Sequence, residues 1–286
     1  MNLPPSSRFT APTGLGLAFY DWGGDGPPVL LAHPTGFHGL AWAPTAARLV
    51  ASGRSVWSFD FRGHGDSDPA PDGYAWSGFA DDALAVVDHL ALAGDPGLLA
   101  VGHSKGGTAL MLGELDRPGT YPRVWAYEPI VFPSDSPLEP SDDNPMSNAA
   151  RRRRAVWTSP DEAFVVYGSK PPLSSITPDA LRAYVFGGMR ELADSTWTLK
   201  CSPADEAAMF AMGAANGLWG RLSGVDCPVV VASGADTDAI NPKLAAMIVE
   251  RLPHGRLEVF DDLGHFGPME NPDACVASIL TFAATT

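Results

Sequence analysis

The sequence predicts an α/β fold with a mostly parallel, doubly wound sheet and a helical insertion. Short runs of Val, Leu and aromatic residues alternate with longer segments of helical spacing, and this alternation stops over residues 129–224 and then resumes. Strands that alternate with helices form parallel sheets covered by helices on both faces. We therefore expect a core domain of residues 1–128 and 225–286, interrupted by a helical cap of residues 129–224.

Six short apolar runs are predicted as buried strands because turn residues bound each of them. They are Pro28–Ala32, Ser55–Asp60, Leu98–Val101, Val124–Tyr127, Pro228–Ala232 and Leu257–Phe260. Five further segments have apolar residues at helical spacing. They are Trp42–Ala51, Trp76–Ala93, Lys105–Leu115, Lys243–Leu252 and Pro272–Ala283. The weakly alternating segment Leu15–Trp22 ends at a glycine-rich turn and is predicted as an edge strand.

The insertion is predicted as a loop followed by short helices with no strand between them. Phe132–Pro145 is rich in Pro, Ser and Asp, a composition typical of loops. Ser159, Thr177 and Ser202 each precede a proline, and an acidic residue follows within three positions, as at a capped helix N-terminus. The many large apolar side chains of the insertion predict that it packs on the core and forms part of an apolar pocket.

Composition excludes several classes of function. The chain has 286 residues, with 19 Lys and Arg against 33 Asp and Glu, for a formal charge of −14. This balance disfavours a nucleic-acid partner, which needs clustered basic residues. The run Arg151–Arg154 is expected to be a solvated helix start, with an inward arginine that meets an acidic substrate as the alternative.

Location is predicted from the termini and the cysteines. The segment Met1–Pro12 lacks the apolar stretch of a secretory signal, and no apolar run is long enough for a membrane span. Cys201, Cys227 and Cys275 are too few and too widely spaced for a disulfide framework or a zinc motif. We expect a cytoplasmic protein with reduced thiols and no membrane partner.

The pentapeptide Gly102–Gly106 (GHSKG) fits the pattern G-x-S-x-G and lies where a predicted strand passes into a predicted helix. A sharp turn here needs flanking residues without side chains, and it lifts the serine above the strand end. The helix that follows offers free N–H groups and the positive end of its dipole. We therefore expect Ser104 to be a nucleophile rather than part of an ordinary turn.

A nucleophilic serine needs a base and a carboxylate that orients the base. His265 follows the last predicted strand, at the end of the sheet where ligand sites gather, and is expected to be the base. Three carboxylates compete for the orienting role. Asp238, which follows the preceding strand, is preferred, and Glu128 and Asp236 are the alternatives.

The oxyanion hole requires two backbone N–H donors. One is expected from Lys105, the residue after the nucleophile, and the other from Thr35 in the loop after the first buried strand. Pro34 has no N–H and cannot donate. The Lys105 side chain is expected at a solvated rim, or else paired with Glu128 or with a substrate carboxylate.

The block Asp60–Ser67 (DFRGHGDS) is interpreted as structural. Its glycines permit sharp bends directly after a strand. Arg62 is expected to pair with a carboxylate and hold the loop.

Together these motifs resemble the α/β-hydrolase superfamily, in the branch with a helical cap. The resemblance rests on His33-Pro34-Thr35, Asp60–Ser67, Gly102–Gly107 and Gly264–Pro272, which occur in the family's order. It implies the α/β-hydrolase fold and a Ser-acid-His triad. Two residues depart from the family's pattern: Pro34 stands where glycine is usual, and Lys105 is uncommon beside the nucleophile.

The resemblance implies a serine hydrolase that cleaves an ester or lactone bond of a small-to-medium apolar molecule through an acyl-enzyme. No metal or cofactor is required, and the oligomeric state is left open. Carbon–carbon bond hydrolases and cofactor-free haloperoxidases share this triad and are alternatives. Glu128 as the acid would favour a lactonase, because zearalenone-lactonase-like enzymes resemble that arrangement. A non-hydrolytic ligand receptor on this fold is the alternative of another class.

Overall fold

The computed structural model describes residues 3–134 and 138–285. Its strands are β1 (Ser7–Thr10), β2 (Gly16–Gly23), β3 (Pro28–Ala32), β4 (Ser55–Phe59), β5 (Leu99–His103), β6 (Val124–Tyr127), β7 (Val156–Trp157), β8 (Met189–Glu191), β9 (Trp197–Leu199), β10 (Val229–Gly234) and β11 (Gly255–Phe260). Its helices are α1 (Ala43–Ala51), α2 (Trp76–His89), α3 (Lys105–Asp116), α4 (Pro145–Arg151), α5 (Pro160–Gly168), α6 (Pro178–Gly187), α7 (Pro203–Ala211), α8 (Pro242–Val249), α9 (Gly267–Glu270) and α10 (Pro272–Ala283). The predicted strands and helices are all present, with ends that differ by a few residues. The prediction that Leu257–Phe260 is buried is wrong, because β11 is the outer strand of the sheet and Leu257 and Val259 are exposed.

The main sheet has the strand order β1-β2-β4-β3-β5-β6-β10-β11. From β4 to β11 every neighbouring pair is parallel, whereas β1, β2 and β4 pair antiparallel. The predicted fold class, a mostly parallel α/β sheet, is confirmed. The prediction that Leu15–Trp22 forms an edge strand is wrong, because β1 pairs with the outer side of β2 and covers that edge.

Two apolar layers cover the sheet, and the alternation of residues along each strand assigns side chains to one or the other. In β3, Leu30 packs in the layer of α2, α3 and α8, while Leu31 packs in the layer of α1 and α10. In β6, Ala126 and Trp125 divide in the same way. A strand buried on both faces must be apolar throughout, which explains the unbroken apolar runs of the sequence.

The inserted segment, residues 129–224, contains α4 to α7 and a second, antiparallel sheet of order β7-β9-β8. The prediction that it holds no strand is therefore wrong. The helix starts are confirmed: the hydroxyls of Ser159, Thr177 and Ser202 accept the N–H groups that begin α5, α6 and α7. Of the predicted loop Phe132–Pro145, residues 135–137 lie outside the described residues. The division into core and cap stays a prediction.

The cysteines and the membrane prediction can be compared with the structure only in part. Cys201, Cys227 and Cys275 are free and buried, and burial raises the pKa of each thiol. In the described ranges, none of the helices has the length and apolarity to cross a bilayer.

The turn between β5 and α3 depends on glycine. A Cβ at Gly106 would overlap the carbonyl group of Ala32 at the end of β3, and a Cβ at Gly102 would overlap the backbone of Gly107. The neighbouring atoms are backbone and cannot move aside. The start of α3 can therefore lie directly on the strand ends, which sets the height of Ser104 above the sheet.

Substitution Gly106→Ala should lower the free energy of unfolding by about 2 kcal/mol or more, because the added methyl group overpacks rigid backbone. The matched control is Gly220→Ala, since a Cβ there meets nothing within 4 Å. The control should change the free energy of unfolding by less than about 0.5 kcal/mol. Urea unfolding followed by tryptophan fluorescence measures both, and equal midpoints would contradict the packing account.

Candidate active site

Ser104 lies at the turn between β5 and α3 with φ 54° and ψ −117°. Non-glycine residues adopt such a conformation only when the surrounding structure enforces it, at a cost of about 1–3 kcal/mol. Its N–H donates to the carbonyl oxygen of Tyr127 at 2.8 Å, which ties the turn to the end of β6. The side chain borders the main cavity. The strained turn predicted from the G-x-S-x-G pattern is thus present.

His265 lies in the loop between β11 and α9 and borders the same cavity as Ser104. Its Nδ1 atom is 2.7 Å from Oε2 of Glu128. Because a carboxylate only accepts, Nδ1–H donates and Nε2 is left with its lone pair. The Glu128 side chain is fully buried, whereas 23% of the His265 side chain is exposed. The pair therefore combines a buried carboxylate with an imidazole whose Nε2 can accept a proton.

Glu128 follows β6 directly and has φ 44°. Its Oε1 accepts the N–H of Gly234 at 3.0 Å, and its Oε2 accepts the hydroxyl of Thr237 at 2.9 Å and the N–H of Ile240 at 3.4 Å. A buried carboxylate with this set of donors is held in one orientation.

The preference for Asp238 as the partner of His265 is corrected by this geometry. Asp238 is exposed at the cavity rim, and within the described chain its side chain makes no hydrogen bond or ion pair. Asp236, also exposed, contributes its backbone N–H to Leu263 rather than a carboxylate to His265. Among the three candidate carboxylates in the described chain, Glu128 is the one that contacts the imidazole.

One predicted oxyanion donor follows Ser104 in the chain, and the other belongs to the loop after β3. Thr35 borders the cavity, and Lys105 is the first residue of α3. In the ranges that the structure covers, neither backbone N–H donates to a protein acceptor. Two free donors beside a serine at the N-terminus of a helix form an arrangement that can receive a developing negative charge.

Two buried histidines from the quoted motifs, for which the sequence analysis predicted no role of their own, hold the Thr35 loop. His33 Nδ1 lies 2.8 Å from the carbonyl oxygen of Pro34, and its Nε2 accepts the N–H of Phe61 at 3.1 Å. His64 Nε2 accepts the N–H of Gly36 at 3.2 Å. The motifs place these histidines after β3 and β4, but the bonds to Phe61 and Gly36 cross between the two loops and could not be predicted from either segment alone.

The Asp60–Ser67 block is structural, as predicted. Arg62 forms a bidentate ion pair with the buried carboxylate of Asp82, at 2.7 Å for the closest pair of atoms. Asp60 accepts the hydroxyl of Tyr20 at 2.6 Å and the N–H of Gly39 at 2.6 Å. Burial raises the pKa of Asp60 to about 6. This ion pair and these hydrogen bonds hold the Asp60–Ser67 block in place against the Thr35 loop.

The expectations that the Lys105 side chain is solvated or paired with Glu128 are wrong, since it is buried and no carboxylate of the described residues forms an ion pair with it. Pairing with a substrate carboxylate stays a prediction. Only 1% of the residue is exposed, and Nζ lies 4.5 Å from the ring centroids of Phe61 and Phe79. Nζ is also 3.2 Å from Nε2 of His64. Burial lowers the pKa of Lys105 to about 7. A lysine at the first helical position bends back beneath the turn instead of outward.

The cavity above Ser104 has a volume of about 1490 Å³. It is bordered by apolar side chains from both the core and the inserted segment, among them Phe37, Ile130, Phe132, Met146, Tyr167, Tyr184, Met209, Phe210 and Phe266. No group of His, Cys, Asp and Glu in the described chain is arranged to hold a metal ion. The walls suit an apolar ligand with a polar group directed at Ser104.

Within Arg151–Arg154, Arg153 is the inward residue. It pairs with the buried carboxylate of Glu206, donates to the hydroxyl of Tyr184 at 2.8 Å and borders the cavity. Glu206 in turn packs against Gly36, where a Cβ would overlap its carboxylate. The expectation that the run is solvated is therefore wrong for Arg153, which borders the cavity near Gly36.

Comparison with known proteins agrees with the fold. The sequence profile described as "Alpha/beta hydrolase family" matches residues 29–278. The chain therefore belongs to the alpha/beta hydrolase family.

Three similar proteins illustrate the range of that family. The non-heme chloroperoxidase CPO-A1 of Kitasatospora aureofaciens is 26% identical over 90% of each chain. The bifunctional esterase/perhydrolase DCH of Acinetobacter calcoaceticus is 24% identical over 96% of this chain and 98% of its own. The crystal structure of E-2-(acetamidomethylene)succinate hydrolase superposes with a TM-score of 0.81 at 21% identity, covering 98% of this chain and 99% of that one.

The burial of Lys105 predicts a pH-dependent stability. Between pH 7 and the ordinary lysine pKa of 10.5, the unfolded chain binds a proton at this residue that the folded chain has largely lost. The contribution of Lys105 to the free energy of unfolding therefore rises with pH, by about 2 kcal/mol from pH 7 to pH 9.

Denaturant unfolding of the wild type and of Lys105→Met at pH 7, 8 and 9 measures this contribution, since all other groups are shared. The free energy of unfolding of the wild type should increase relative to that of the variant as the pH rises. A difference that is constant with pH would show that Lys105 keeps its ordinary proton affinity in the fold.

Proposed function

We propose that this chain is a serine hydrolase that cleaves an ester or lactone bond of a small-to-medium apolar molecule. Ser104 is the nucleophile, His265 the base and Glu128 the carboxylate that orients the base. The observation that carries the proposal is the 2.7 Å contact between His265 Nδ1 and the buried Glu128 carboxylate, in the cavity that Ser104 borders. The apolar walls of that cavity support an apolar substrate.

In the first half-reaction, Ser104 Oγ attacks the carbonyl carbon while its proton passes to Nε2 of His265. Glu128 stabilises the imidazolium and keeps Nδ1–H pointed toward itself. The tetrahedral oxygen receives the N–H groups of Thr35 and Lys105. His265 then protonates the leaving oxygen, and the carbon–oxygen bond breaks to give the acyl-enzyme.

In the second half-reaction, a water molecule gives a proton to Nε2 of His265 and adds to the acyl carbon. The second tetrahedral species collapses, Ser104 Oγ leaves, and His265 returns the proton to it. The acid product departs and the triad is restored, so that no metal or redox group takes part in the sequence.

We also propose that the inserted segment acts as the cap of this site. Arg153, Tyr184 and Met209 from that segment border the same cavity as Ser104. A cover of this kind limits the size of the substrate and reduces the access of water.

A second candidate activity is perhydrolysis, in which hydrogen peroxide replaces water and releases a peracid from the acyl-enzyme. The similarity of this chain to a chloroperoxidase and to an esterase/perhydrolase over nine-tenths of its length favours it. The ratio of peracid to acid formed from one ester at fixed peroxide concentration distinguishes the two activities.

Ser104→Ala should fold normally and lower hydrolysis of short p-nitrophenyl esters by about 10³-fold or more, because the nucleophile is lost. A fluorophosphonate should label the wild type, but not the variant, at Ser104, as judged by mass spectrometry. An unchanged hydrolysis rate in Ser104→Ala would contradict the serine mechanism. Wild-type protein that neither hydrolyses esters nor takes up the label would instead point to a ligand receptor.

Glu128→Gln should lower kcat by about 10²- to 10⁴-fold, because an amide can present its N–H to His265 and favour the wrong tautomer. Asp238→Asn is the matched control, and its kcat should stay within about twofold of the wild type. Thermal unfolding checks that both variants fold. A large loss in Asp238→Asn together with an active Glu128→Gln would reverse the assignment of the acid.

A further inference from the structure

The two candidate oxyanion donors are connected beneath the cavity by buried side-chain contacts. The chain begins at Lys105, whose backbone N–H is one donor and whose side chain runs under the turn to His64. His64 contacts Gly36, the neighbour of Thr35, which carries the other donor. Lys105 thus supplies one donor from its backbone and contacts, through His64, the loop that supplies the other.

The protonation of His64 follows from its contacts. Its Nδ1 lies 3.0 Å from the carbonyl oxygen of Arg62, so Nδ1 carries the hydrogen. Nε2 then has the free lone pair, and the N–H of Gly36 donates to it at 3.2 Å. Lys105 Nζ lies 3.2 Å from Nε2 and 3.4 Å from Nδ1, so its ammonium group contacts both ring nitrogens. The Gly36 bond exists only while this imidazole is neutral.

The surroundings of Lys105 leave His64 as its main polar partner. No carboxylate lies within ion-pair distance of Nζ in the portion of the chain that the structure describes. The rings of Phe61 and Phe79 flank it, each with its centroid 4.5 Å away. A buried amine that serves only as packing would be replaced at little cost by an apolar side chain.

We propose that Lys105 is a positioning residue that keeps His64 neutral, so that His64 holds Gly36 and the Thr35 loop opposite the backbone N–H of Lys105. The inference rests on the proposed hydrolase function, since it concerns the geometry of the oxyanion hole. The positions of both backbone donors, Thr35 and Lys105, then depend on the Lys105 side chain.

The charges around this pair agree with the assignment. Burial first, and the cation of Lys105 second, hold the pKa of His64 well below its usual range. Burial lowers the pKa of Lys105 to about 7, so the amine is charged at the acidic pH values at which His64 would otherwise gain a proton. Charge at Lys105 therefore opposes a second charge at His64.

Other titratable groups face the pair from the elements packed around it. His33 lies beside His64, with ring centroids 4.7 Å apart, and its pKa is also lowered, chiefly by burial. His38 adds a further small lowering of the pKa of His64. Cys201, Asp82 and Asp60 act on Lys105 from the inserted segment, α2 and the end of β4. These groups remain in place when Lys105 alone is changed.

The first test does not depend on catalysis. In a Ser104→Ala background, the pKa of His64 is measured by NMR of ¹³C-labelled histidine rings with and without Lys105→Met. We expect the pKa of His64 to rise by about one unit when the cation is removed. Lys243→Met, at an exposed lysine of α8, is the matched control and should leave the pKa of His64 unchanged.

The second test uses the active enzyme. Below pH 7, where Lys105 is charged in the wild type, Lys105→Met should lower kcat by up to about 10-fold with KM within about twofold, so that the acid limb of log kcat moves to higher pH. His64→Gln, combined with Lys105→Met, should return the acid limb to its wild-type position, because glutamine does not titrate. If Lys105→Met does not fold, Lys105→Gln serves instead.

The outcomes separate the two proposals. An unmoved His64 pKa and an unmoved acid limb in Lys105→Met would overturn the positioning role, even if stability falls. Wild-type protein without esterase activity would overturn the proposed function, while the NMR titration would still report on the contact between Lys105 and His64.

Discussion

The Glu128 side chain is buried, and its hydrogen bonds hold the parts of the candidate site together. Its partners come from three segments: Gly234 at the end of β10, Thr237 in the following turn, and His265 after β11. Because a buried carboxylate without partners is costly, these three partners are held in fixed positions around it. The carboxyl ends of three neighbouring strands are thereby locked together below the cavity.

The same carboxylate explains what the sequence could and could not predict of the site. Ser104 is predicted from its pattern, a glycine-flanked serine between a strand and a helix. His265 is predicted from its place after the last strand. The acid has no such pattern. Asp238, Asp236 and Glu128 all follow strands of the parallel sheet, and the contact with His265 distinguishes Glu128 from the other two. That contact joins residues 128 and 265, so the local sequence around either residue does not reveal it.

The fold shows a similar boundary between predicted and missed features. Strands buried on both faces, such as Val124–Tyr127, were predicted because their apolar runs are continuous. Strands of two or three residues, such as β7, contain too few positions for any periodicity. The outward expectation for Lys105 failed because charged side chains are usually solvated, and only the close packing of Phe61 and Phe79 shows otherwise.

The contact between Glu206 and Gly36 joins the inserted segment to the Thr35 loop. Glu206 belongs to α7, is held by Arg153 and leaves no space for a side chain at position 36. An inserted segment taken from another member of the family would therefore need a compatible Thr35 loop. Exchange of substrate range by recombination between relatives is then restricted to pairs of segments, and the inserted segment is not a free module.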